Sequence, residues 1–134
     1  MTKARVEQVY EDRLEARSFL VQAERFRMDA DAELSAESRA VLLHNASVSA
    51  SDAILRAAGL RVTSGDGAHQ LRLETALDEL GQDTGELMER LDASRWARNE
   101  ASYAAMAVAG ATIEEAREAT AELIALATEF VGTE

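Results

Sequence analysis

The stretch AESRAVLLHNASVSASDAILRAAG, residues 36–59, decides the fold. It has no proline and no internal glycine, and its alanines and leucines lose little conformational freedom on entering a helix. At about 100° per residue, Leu42, Leu43, Ala46, Ala50, Ala53, Ile54 and Ala57 cover one broad side while Val41, Val48 and Leu55 lie on another. A helix that is apolar on two sides is packed on both. Residues from about Ala36 to Ala58 are therefore predicted to form the central helix, closed by Gly59 where a left-handed residue is favoured. Its polar stripe is Asn45, Ser49, Asp52 and Arg56, spaced by four, three and four, so these side chains share one line. Taken alone, that line reads as facing water rather than a cleft.

Upstream, Val6, Val9, Tyr10, Leu14, Leu20, Val21 and Met28 fall within one arc, which predicts a long first helix from about Lys3 to Asp31 with that arc inward. Phe19 and Phe26, seven residues apart, lie on the opposite side; they read either as a second face used by a neighbouring subunit or as aromatics exposed or covered within the chain. DAELSAES, residues 31–38, supplies caps between the first two helices. Downstream, GLRVTSGDGAH, residues 59–69, reads as a loop and lacks the Lys-Ser/Thr ending of a phosphate-binding P-loop. His69, Leu73, Ala76, Leu77 and Leu80 then share one face of a third helix ending near Gly81. Thr84 opens a fourth, running to Val108 or broken near Asp92. Thr112 and Glu115 have capping-box spacing ahead of a final helix whose inward stripe is Ile113, Ala116, Thr120, Leu123, Ile124, Ala127 and Phe130. Five helices on short turns predict an all-α, up-and-down bundle in a single domain over residues 1–134.

The composition agrees. With 134 residues, 47% hydrophobic and 29% charged, the chain has material for one core, and no apolar run approaches the roughly 18 residues of a membrane span. The opening residues lack the apolar centre of a secretory signal, so the expected location is the cytoplasm, without membrane attachment. There is no cysteine, which excludes disulfides, thiolate nucleophiles and zinc-thiolate sites. The 14 cationic and 25 acidic side chains give −11, which repels phosphate backbones: DNA is not an expected partner, and any RNA or nucleotide role needs a local basic pocket.

On the fourth helix, Arg98 shares an arc with Leu87, Leu91, Ala101, Ala105 and Val108. A cation on an apolar face needs a negative partner, and Asp52 is the candidate. Asp92, Trp96, Asn99 and Tyr103 form the adjacent line. The competing reading has Arg98 reaching water at a helix edge while Trp96 and Tyr103 pack as ordinary aromatics. His44 and His69 have no second ligand at zinc-binding spacing and no glutamate three residues before them, so neither a zinc nor a di-iron site is expected and both read as packed, structural histidines. No cofactor is implied. Glu114, Glu115, Glu118 and Glu122 read as a solvated helix face.

HNASVSASDAILRAAGLRVTSGDGAH (residues 44–69) followed by LDASRWARNEASY (residues 91–103) resembles the HEPN superfamily of small helical bundles, over roughly Ala36 to Val131. The shared features are a small-residue-rich helix ending in Asp-Ala-Ile-Leu, a glycine-bearing loop closing on histidine, and an Arg-Asn pair on the next major helix. HEPN ribonucleases carry an arginine followed after four to six residues by a histidine, and two such helices meet across a dimer in a metal-independent site. Here Arg98-Asn99 is followed by Tyr103 where that motif would place histidine. An ordinary tyrosine, with a pKa of about 10, is a poor general base at neutral pH, though it still stacks on a base or donates a hydrogen bond. The resemblance thus implies a homodimeric binding or partner module with a groove around Arg98, Asn99, Tyr103 and Asp52. It also implies a nucleotide or RNA ligand, and a nucleotidyltransferase partner protein in a toxin-antitoxin module. Two other readings stand beside it. One is a metal-independent endoribonuclease toxin using Arg98 and Tyr103, with His44 or His69 supplying the missing acid or base; the other is a structural, protein-binding bundle.

Overall fold

The computed structural model describes residues 2–33, 35–81, 83–91 and 110–132. In chain order these form β1 (Val6–Gln8), α1 (Arg13–Ala32), α2 (Ala36–Ala58), β2 (Leu60–Val62), α3 (Ala68–Glu79), α4 (described over residues 85–91), and α5 (Gly110–Val131). The protein is an all-α bundle carrying one two-stranded antiparallel sheet. None of the described helices is long and apolar enough to cross a membrane.

The central role of the second helix is confirmed: α2 packs against α1, α3 and α5, and Leu43, Ala46, Ala50, Ala53, Ile54 and Leu55 are all buried. It begins where the Ser35 hydroxyl accepts the Ser38 N–H at 3.0 Å. It ends at Gly59, whose φ of 78° is the left-handed conformation and whose N–H returns to the Arg56 and Leu55 carbonyls. A Cβ at Gly59 would also sit 3.0 Å from the Val9 carbonyl oxygen, so glycine permits both the cap and the close approach of the N-terminal strand.

That strand corrects the first prediction. α1 begins at Arg13, where the Asp12 carboxylate accepts the Glu15 N–H at 2.9 Å, and not near Lys3. The preceding residues pair instead with the segment after Gly59, in the register Val6↔Val62, Glu7↔Arg61 and Gln8↔Leu60. The segment read as a plain loop thus contains β2. A three-residue strand leaves almost no periodicity of its own, and its partner lies more than 50 residues away.

The inward face of α1 is also corrected. Its buried positions are Ala16, Ala23 and Ala30, whereas Leu14, Val21 and Met28, read as inward, are exposed. Phe19 and Phe26 are partly buried against the chain's own core clusters. The reason is close packing. Ala16 falls in one cluster with Ala53 and Ala57, Ala23 in one with Ala46 and Ala50, and Ala30 in one with Ala40 and Leu43, the order of an antiparallel pair of helices with small residues along their seam. Small side chains let two helix backbones approach closely, and larger residues at those positions would hold them apart.

α5 closes the bundle with Ile113, Ala116, Ala119, Thr120, Leu123, Ile124, Ala127 and Val131 buried, close to the expected stripe. Thr112 is the third residue of α5 rather than a cap ahead of it. Arg13 Nη1 donates to the Val131 carbonyl, tying the start of α1 to the end of α5.

Candidate functional site

Arg98, Asn99 and Tyr103, with the neighbouring Asp92 and Trp96, lie outside the described residues, and so does the expected pairing of Asp52 with Arg98. Asp52 itself is described. Its carboxylate is ion-paired with Arg72 of α3 at 2.8 Å, both side chains being mostly buried.

The pair lies in a cleft of about 470 Å³ between the β1–β2 sheet, the N-terminal end of α1, the C-terminal end of α2 and α3. Arg56 and Arg61 share the lining with Asp52 and Arg72, together with Glu15, Tyr10 and Phe19. The polar stripe on α2 therefore faces a cleft at its C-terminal end, with Asp52 and Arg56 both partly buried, and not open water.

The arginines differ in how they are held. The Arg56 guanidinium lies 3.3 Å from Glu15 and 3.8 Å from Asp12, which fixes it between α1 and α2. Arg61 meets Glu7 at 2.6 Å across the sheet, but its side chain is 63% exposed, so water competes for this pair. Glu7 also takes Arg5 at 3.3 Å, and the Arg61 hydrogen bond leads in holding its carboxyl below the ordinary range. Asp52 is shifted the other way. Burial pushes its carboxyl above the usual aspartate value and the charge of Arg72 opposes this.

Behind Arg72 lies a second contact. Its Nη1 is 3.2 Å from His69 Nδ1. A guanidinium only donates, so the part open to Nδ1 in this contact is that of acceptor. The His69 ring meets His44 of α2 edge to face, with centroids 5.4 Å apart. His44 is buried, as expected of a packed histidine, with the Ser47 and Ser51 hydroxyls on the backbone carbonyls of His44 and Ser47. Asp52, Arg72 and His69 thus form a line of polar contacts between α2 and α3, and the His69 ring packs on His44. Among the described residues, no three histidine or carboxylate side chains converge as a metal site requires.

The sequence reading found Asp52 but missed Arg72, Arg61 and Tyr10. Arg72 lies 20 positions from Asp52 on a different helix, and Tyr10 reaches the cleft through the β1–β2 pairing; no short-range spacing records either fact. No protein-family model, curated protein or solved structure matches this chain.

Proposed function

We propose that the chain is a HEPN-like binding module that takes a mononucleotide-sized ligand in the Asp52 cleft. The observation that carries this reading is the concentration of Arg56, Arg61 and Arg72 with exposed Tyr10 around one cavity, on a chain whose net charge is −11. The lining sets three arginines beside Glu15 and Asp52, with Glu7 and Asp12 paired to Arg61 and Arg56, so the cleft gathers cations on a molecule that as a whole repels anions, and a bound phosphate takes the place of one of these carboxylates. Its volume falls within the roughly 300–1,000 Å³ of small-ligand sites. A long RNA would spread over acidic surface, whereas one nucleotide confines its phosphate to the cleft.

Arg61 exchanges its exposed contact with Glu7 for a phosphate, since a solvent-exposed ion pair is weak. Tyr10, 94% exposed at the rim, offers a ring face to a base. Asp52 and Arg72 form the rigid floor, a fixed acceptor and donor side by side.

Calorimetric titration with adenosine and guanosine monophosphates tests this, with Arg61→Ala and Tyr10→Ala as variants whose exposure protects the fold. Each is expected to weaken binding by roughly tenfold or more, the value of one lost charged or stacking contact. Absence of binding to the parent protein, or equal binding by both variants, overturns the reading.

A further inference from the structure

Leu14, Val21 and Met28 recur every seven residues on the outward side of α1 and are 75%, 64% and 59% exposed. The other side of the same helix is the alanine seam on α2, so α1 is apolar on two faces and, among the described residues, only one is covered. We propose that the uncovered face is the contact surface for a second copy of this chain, with two α1 helices crossing antiparallel near Val21. This stands apart from the ligand reading.

Three observations select a second copy. The first is spacing: Leu14 and Met28 lie seven residues either side of Val21, so a two-fold axis there sets Leu14 of each copy against Met28 of the other. The second is shape. A groove of about 340 Å³, lined by Ser18, Phe19, Val21, Gln22 and Arg25 with Glu15, borders the stripe, and an isologous interface needs projection and recess on the same patch. The stripe exposes on the order of 400 Å² and exposed Ser18, Gln22 and Arg25 extend it toward the roughly 800 Å² per partner of a stable complex.

The third is charge. α1 balances Arg13, Arg17, Arg25 and Arg27 against Glu15, Glu24, Asp29 and Asp31, so two copies of it meet without net repulsion. α5 sets Arg117 against Glu114, Glu115, Glu118, Glu122 and Glu129, and two such surfaces would repel.

Sedimentation velocity across micromolar concentrations tests the proposal. The parent is expected to sediment at twice the chain's 14.5 kDa. Val21→Glu and Leu14→Glu should raise the dissociation constant by roughly thirtyfold or more, as loss of an interface hot spot does, with the helical circular dichroism unchanged. Because the chain has no cysteine, Val21→Cys supplies a second readout: mild oxidation should yield a covalent dimer, and Ala125→Cys on the exposed side of α5 should not. A parent that stays monomeric throughout, including one whose stripe takes an unrelated protein instead, overturns the proposal. So does a dimer that Val21→Glu leaves intact.

Discussion

Replacing Ala23 by leucine puts an isobutyl group where the seam between α1 and α2 holds only a methyl. Ala23 has 0% exposure and clusters with Ala46 and Ala50, themselves at 0%, so the added volume has no recess to enter. Either the two helices separate, loosening the Ala16 and Ala30 contacts along the same seam, or the leucine takes a strained rotamer. Overpacking of this kind costs about 1–3 kcal/mol, which for a chain of this length lowers Tm by about 3–15 °C. Ala125→Leu on the exposed side of α5 is the matched control and should stay within about 0.5 kcal/mol of the parent. Thermal unfolding followed at 222 nm, at one fixed protein concentration so that self-association does not move the midpoint, compares the three proteins. The inward face read from the large side chains predicts the reverse, a leucine at position 23 pointing to water at no cost. An Ala23→Leu protein as stable as the parent would refute the alanine seam.

Thr120 is fully buried on α5 and its hydroxyl has no hydrogen-bond partner, so Thr120→Val, which keeps the shape and removes the polar atom, should raise stability by about 1 kcal/mol and Tm by a few degrees; a lower Tm contradicts this. Carboxyl NMR titration should find Asp52 protonating above the ordinary 3.8, chiefly through burial, and Asp31 below 3.8, chiefly through its Arg117 hydrogen bond. Glu24 should fall below 4.5 through Arg27. The consequences for stability have opposite signs: the Glu24 and Asp31 contributions are present above their unfolded values and are lost as acid brings the pH through the lowered ones. Asp52, with a raised folded value, favours the folded state at low pH and withdraws that contribution as pH rises from 3.8 through the folded value. Arg72→Ala should push the Asp52 midpoint higher still, and a midpoint at or below 3.8 in the parent would remove burial as its cause.

The helical class, the central helix, its Ser35 and Gly59 ends and the buried stripe of α5 were legible in the sequence, because each rests on contacts or periodicity within a few turns of one helix. The N-terminal strand was not, since Val6, Val9 and Tyr10 fit a helical arc as well as an extended segment, and only pairing with residues 60–62 distinguishes the two. The face of α1 was misread for a related reason. Side-chain size argued for burying Leu14, Val21 and Met28, but the partner surface is α2, whose alanines admit a neighbour only at close range, and Ala16, Ala23 and Ala30 alone can approach that far. Asp52 could be singled out from its polar stripe, yet its companion Arg72 and the cleft they share exist only once the two-stranded sheet and α3 are folded against α2. Periodicity reports which residues share a side of a helix; which side is covered depends on the shape of the surface that meets it.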